Sequence, residues 1–296
     1  MLFWLSLVVI AQLVNASTVL VDKYLLVDTR GVGKPSVYAF YISLLSGFVI
    51  VLVPFGAVSW PSLSVLVLSL LTALAYIFSI FFLYSALKIA IPSDVVPVTG
   101  AVSAVTTFAF AYWWLHQDLP QGFFLGFTLL TIGTLLISHF RFNRESFSLV
   151  FLAGILFGAS TFIIKLIFLQ TSFVDGFFWS RMANVFMAAL LLLLPANLEA
   201  VNRGIKQVSP KAKWLIIANK TLAGGAFVLI LLAIKMGSVS VVNALSGLQF
   251  VFLFSFAYLG ARRFPEIFHH EIRPHKFPHK LFGVIFIILG FASLFL

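Results

Sequence analysis

Apolar residues in this chain come in long, nearly unbroken runs, with polar residues clustered in the short breaks between them. A helix needs about 20 mostly apolar residues to cross the ~30 Å hydrocarbon core of a bilayer. Runs of that order are centred within 2–21, 36–56, 62–87, 94–115, 121–140, 149–169, 176–195, 213–234, 239–260 and 280–296. The breaks, such as "RGVGKPS", "IPSD", "HQDLP" and "RRFPEIFHHEIRPHKFPH", hold the Gly, Pro and charged residues that stop helices. Membrane strands alternate apolar with polar residues over roughly 10 positions, and these runs are longer and do not alternate. The pattern predicts an all-α integral membrane protein of about ten transmembrane helices.

The punctuation recurs. "ALKIAIPSDVVPVTG" at 86–100 and "AIKMGSVSVVNALSG" at 233–247 share a lysine, a short turn and a final glycine; Lys235 minus Lys88 and Gly247 minus Gly100 both give 147. "NASTVLVDK" in the first run and "GASTFIIK" in the sixth share Ala-Ser-Thr, with Ala159 minus Ala16 giving 143. The second and seventh runs end in Pro54 and Pro195, and the fifth and tenth each carry a glycine pair, Gly126 with Gly133 and Gly283 with Gly290. The order of these marks predicts two halves, 1–140 and 149–296, of five spans each. Five is odd, so the second half enters the membrane from the opposite side, the inverted-topology repeat of many secondary transporters. Small residues four apart, Gly122 with Gly126 and Gly154 with Gly158, predict close helix packing.

Composition sharpens the class. Hydrophobic residues make up 61% and charged residues 9%, against roughly 25% charged in soluble domains, and mean hydropathy is +1.11. The net charge of +10 sits in the breaks, where basic residues meet anionic headgroups, so nucleic acid is not the expected partner. Cysteine is absent, which excludes disulfides and thiolate metal sites. "MLFWLSLVVIAQLVNASTVLV" has no basic start or small-residue cleavage site, and it reads as a retained first span. Metalloprotease and Walker motifs are missing, and all four glutamates (Glu145, Glu199, Glu266 and Glu271) fall in connections. No enzyme, cofactor or metal is expected.

The duplicated pattern resembles the drug/metabolite transporter superfamily, EamA type, over nearly the whole chain. The two lysine-turn-glycine stretches carry the resemblance. The family's Trp-Gly-Ser-Asn signature stands here as Asn15-Ala16-Ser17-Thr18, with Lys23 following, and its Gly-Glu-Arg-Leu turn as His116-Gln117-Asp118-Leu119-Pro120. The resemblance implies a ten-helix carrier of small molecules with a central cavity between the halves.

An ionisable group in lipid costs at least ~2.5–3.5 kcal/mol, so it invites a functional reading. Lys165, Arg181 and Lys220 fall inside predicted spans. Lys165 is close enough to its span's end to snorkel. Arg181, ~8 Å into the seventh span with Asn184 at i+3, is open between snorkelling and a cavity role. Lys220 is ~10 Å deep and is expected to be the main attraction for an anionic group. Asn15 and Gln249 complete the expected midplane layer, with Asn243 and Ser246 on the approach. Gln12 and Asn15 share one face of the first helix. Asp94 reads as a helix N-terminal cap. His269, His270, His275 and His279 read as a solvated loop broken by Pro274 and Pro278.

The expected function is a secondary transporter of small polar or anionic metabolites, such as amino acids, working by alternating access through a central cavity. The alternative is a lipid-headgroup flippase or lipid-binding membrane protein. Expected partners are the small-molecule substrate and the bilayer, with a coupling ion and a monomer or dimer left open. The expected location is the plasma membrane. Orientation divides the arguments. Outside the spans, every lysine and arginine except Lys235 lies in an odd-numbered connection, which places both termini outside; the resemblance implies termini in the cytoplasm.

Overall fold

The structure is a computed structural model that describes residues 2–28, 44–90, 92–116, 119, 121–138, 143–191, 210–260 and 277–294. Much of the basic connections, Pro195 and His269, His270 and His275 lie outside the described residues. Within them the chain is helical, with no strand. The helices are α1 (Leu2–Asp28), a 3-10 helix (Ser46–Phe55), α2 (Leu63–Ile89), α3 (Pro92–Leu115), α4 (Phe123–Ile137), α5 (Arg144–Gln170), α6 (Phe173–Leu191), α7 (Pro210–Met236), α8 (Val239–Ala244), a 3-10 turn (Leu245–Gly247), α9 (Leu248–Gly260) and α10 (Phe277–Ser293). Six stretches are long and apolar enough to cross a membrane: Phe3–Val21, Leu63–Ile89, Asp94–Leu115, Arg144–Gln170, Ile217–Met236 and Val239–Phe256. This is the make-up of a multi-pass integral membrane protein. Large apolar and aromatic side chains, Trp60, Trp113, Trp114 and Trp214 among them, are exposed on the outside of the bundle, as lipid-facing and interfacial positions require.

Local chemistry sets the helix ends. Ser62 Oγ accepts from Val65 N at 3.2 Å to start α2, and Asn143 Oδ1 accepts from Ser146 N at 2.8 Å to start α5. Pro92 and Pro210 open α3 and α7, where a missing N–H costs nothing. The same reason corrects the reading of Pro278. It is the second residue of α10 and does not break it, so His279 is helical. Gly56, at φ 63°, ends the first 3-10 helix in the left-handed region. Pro54 lies in the last turn of that segment, where its missing N–H and its ring oppose continuation of the helix.

Glycines govern the closest crossing. Gly126 faces Gly290 and Gly133 faces Gly283, so α4 and α10 run antiparallel. A Cβ on Gly133 would lie 2.7 Å from Gly283 O, and one on Gly283 would lie 2.8 Å from Gly133 O. Any larger residue would push the backbones apart. Gly154 and Gly158 do the same for α5 against Thr99, Val102, Ser103 and Thr106 of α3. Elsewhere α2 packs on α5 and α6, α1 packs on α7 and α9, and α8 packs on α3. The core is the apolar cluster around Phe123, Leu130, Phe162, Leu231, Leu245 and Ile287.

Two departures from the sequence pattern matter for the site. α6 starts at Phe173 and α7 at Pro210, each three residues before the apolar run, so Arg181 and Lys220 stand further along their helices. The ninth run is interrupted by the 3-10 turn Leu245–Gly247, a mid-segment break of the kind found at hinges and binding sites.

Candidate functional site

That break borders a cavity of about 140 Å³ between α1, α2, α5, α6, α7 and α8. Most of its wall is apolar: Phe157 and Ile164 from α5, Phe227, Ile230, Leu231 and Ile234 from α7, and Val242 from α8. Polar groups reach it at a few points, from Gln12, Tyr76, Ser160, Thr161, Arg181, Asn243 and Ser246. Arg181 is eight residues beyond Phe173, about 12 Å along α6 at 1.5 Å per residue.

Arg181 is 4% exposed. Its guanidinium carbon lies 4.9 Å from the Phe227 ring centroid and 5.8 Å from that of Tyr76. Its Nε and Nη2 have no hydrogen-bond partner in the protein. Cation–π contacts contribute ~2 kcal/mol or more each when desolvated, whereas burying an ion costs several kcal/mol. The rings soften that cost without removing it. Both nitrogens are buried, so an anion in the cavity would supply the missing acceptors once the side chain turns toward it. Other buried polar atoms without partners lie nearby in sequence or in the lining: Gln12 Oε1 on the cavity wall, and Asn184 Nδ2 and Oδ1 one turn beyond Arg181.

Asn243 is held by α3. Its Nδ2 donates to Ser103 O at 3.1 Å, Ser103 Oγ at 3.1 Å and Thr107 Oγ1 at 2.5 Å. Thr107 Oγ1 in turn donates to Gly158 O at 3.1 Å. The amide at the cavity is therefore fixed through two neighbouring helices before any ligand arrives.

Beside Ile164 and Ile234 of the cavity wall lies a pair of lysines with a different environment. Lys165 Nζ donates to Ile234 O and Gly237 O, both at 2.8 Å, and to Lys235 O at 3.4 Å. Lys235 Nζ donates to the carbonyls of Phe168 and, at 2.7 Å, Thr171. Each lysine thus caps the C-terminus of the other's helix, where carbonyls are orphaned and the dipole is negative. Lys165 does not snorkel to an interface; it is 6% exposed and saturated by backbone oxygens.

Of the expected site residues, Arg181 and the two on the approach, Asn243 and Ser246, line the cavity. Asn15, Lys220 and Gln249 are half-buried and outside its lining, and Asn184 is fully buried beside it in sequence. Lys220 is seven residues before Phe227, so it lies on nearly the same face of α7 about 10 Å from the cavity wall. Asn219 is buried and donates to Thr18 O at 3.0 Å, joining α7 to α1. Asp94 sits buried in the first turn of α3. Gln12, Tyr76, Ser160 and Phe227 had not been singled out for the site. Two of them carried a signal, Gln12 by sharing a face with Asn15 and Ser160 by belonging to the duplicated Ala-Ser-Thr.

No protein-family model and no curated protein matches the chain. One solved crystal structure of another protein superposes with a TM-score of 0.66 at 16% identity, covering 97% of this chain and 98% of that one. At that identity the likeness carries the fold, here over almost the full length of both chains.

Proposed function

We propose that this chain is a secondary transporter of small anionic organic solutes, built like the drug/metabolite transporters from two five-helix halves of opposite topology. The pairing of helices supports the two-half reading. Exchanging the halves maps the α2–α5 contact onto α7–α1, and the α3–α5 contact onto α9–α1. The α4–α10 crossing maps onto itself, as its reciprocal glycines require. The cavity lies where such a repeat holds its substrate, beside a broken helix.

The observation that carries the reading is Arg181: a buried cation lining a cavity, with two nitrogens lacking partners among the described residues. An intramembrane cation in this state is a binding group for an anion. Alternating access would expose the cavity first to one side and then to the other. The test is uptake by proteoliposomes holding the purified chain, with wild type compared to Arg181→Met across a panel of organic anions. Saturable uptake by wild type that falls at least tenfold in the variant supports the reading. Equal uptake by both proteins, or none by either, sinks it. Absence of flux with retained binding of anionic lipid would move the chain to the headgroup-handling class.

A further inference from the structure

Charge balance in the cavity narrows the solute. Among the described residues the lining contains one permanent cation, Arg181, and no carboxylate. We infer that the cavity selects a monoanion, a small carboxylic acid with an apolar body and no ammonium group; this rests on the transporter reading above. A monocarboxylate cancels the guanidinium charge and leaves the filled cavity neutral. A zwitterionic amino acid leaves one positive charge uncancelled. Its ammonium would share the cavity with Arg181, and the neutral oxygens of the lining (Gln12, Ser160, Thr161, Asn243 and Ser246) could accept its hydrogen bonds without cancelling its charge. A dicarboxylate or phosphate monoester leaves net negative charge. In a wall made mainly of Phe, Ile, Leu and Val, uncompensated charge of either sign is strongly disfavoured.

Size and wall chemistry set the body. A dry cavity near 150 Å³ holds a molecule the size of benzene, and this one is about 140 Å³. That admits roughly six to eight non-hydrogen atoms, which is far short of a lipid acyl chain. Phe227 and Tyr76 pack on the guanidinium, and its Nε and Nη2 are buried, so a carboxylate in the cavity pairs with both only after the Arg181 side chain turns toward it, in the fork geometry arginine favours. The branched apolar end would then lie along Ile164, Ile230 and Ile234.

Matched probes separate these terms. Proteoliposomes with the full chain would be assayed for uptake, and for competition, with 4-methylpentanoate, leucine, succinate and dodecanoate. Leucine differs from 4-methylpentanoate only by its ammonium group. The expected result is that 4-methylpentanoate is carried with at least tenfold lower half-saturation than leucine or succinate. Dodecanoate is expected not to compete, and Arg181→Met to abolish the preference while remaining monodisperse in detergent. Leucine or succinate carried as well or better would overturn the monoanion inference and leave the anion-transporter reading standing. Preferred uptake of dodecanoate would overturn the size argument. If wild type and Arg181→Met behave alike toward all four, the transporter reading falls with the inference.

Discussion

Two buried cations sit within one bundle and are treated in opposite ways. Lys165 and Arg181 are 6% and 4% exposed, so exposure does not distinguish them. Lys165 Nζ donates to three carbonyls at the end of α7. Arg181 faces two aromatic rings and a cavity, with Nε and Nη2 unpartnered. The first arrangement is complete without a ligand and serves the helix ends. The second is incomplete, and its deficit has the shape and charge of a carboxylate. Burial alone marks neither as functional; the state of the donors does.

The sharpest way to break that contrast is to remove each charge while keeping its apolar stem. Arg181→Met should weaken binding of the transported anion by one to two orders of magnitude, because charge-assisted hydrogen bonds contribute about 1.5–3 kcal/mol and about 1.4 kcal/mol is tenfold. Its stability should stay level or rise, since replacing a buried, unpaired ion with an apolar side chain relieves desolvation. Thermal unfolding in detergent beside flux reads both signs. A variant that binds normally but unfolds early would make Arg181 a packing residue.

Lys165→Met should show the opposite pairing. It strips donors from carbonyls at the end of α7, each costing about 1–3 kcal/mol when left unsatisfied in the interior. Water near the helix ends offsets part of this, so a loss of about 2 kcal/mol is expected, with half-saturation within twofold of wild type. Unchanged stability together with lost affinity would mean that this lysine reads the substrate after all.

Much of the fold was legible because it depends on length and small residues. Apolar runs located the helices, and the paired glycines of the fifth and tenth runs mark the crossing where α4 and α10 meet. Depth was harder. Helix α6 begins at Phe173, before the apolar run does, which takes Arg181 from about 8 Å to about 12 Å from the helix start. Rotation and neighbours were invisible. Nothing in the spacing says that Lys165 meets the end of a helix 70 residues away, or that Tyr76 and Phe227 flank Arg181. The break at Leu245–Gly247 left a partial signal in Ser246 and Gly247, but nothing in their spacing says that the helix tightens there.

A smaller effect is expected at Asn243. Its amide donates to Ser103 and Thr107 of α3, so Asn243→Ala removes a fixed polar point and frees those acceptors. A net hydrogen bond contributes about 1 kcal/mol, so affinity should fall by less than tenfold. Asn243→Asp tests the electrostatic side of the same point. A carboxylate beside Arg181 would compete with the ligand and reduce anion uptake more than alanine does. Equal uptake by the two variants would remove Asn243 from the site.

The smallest effect separates Lys220 from Arg181. The sequence alone places the main attraction at Lys220, whereas the geometry places the unpartnered cation at Arg181 and puts Lys220 outside the cavity lining. Lys220 is half-buried and stands on the Phe227 face of α7 about 10 Å from that ring's turn of helix. At that distance its charge acts on the solute through its field and not through a bond. The Debye length is about 10 Å at 0.1 M salt, so its pull on an approaching anion is felt at low ionic strength and largely lost at high. Lys220→Met should therefore slow uptake a few-fold in dilute buffer, and the difference should vanish near 1 M salt, where screening acts over about 3 Å. Binding at equilibrium should stay within about threefold of wild type. A loss of one or two orders of magnitude that persists in high salt would return the anion site to Lys220. It would also leave the two open nitrogens of Arg181 without the role given to them here.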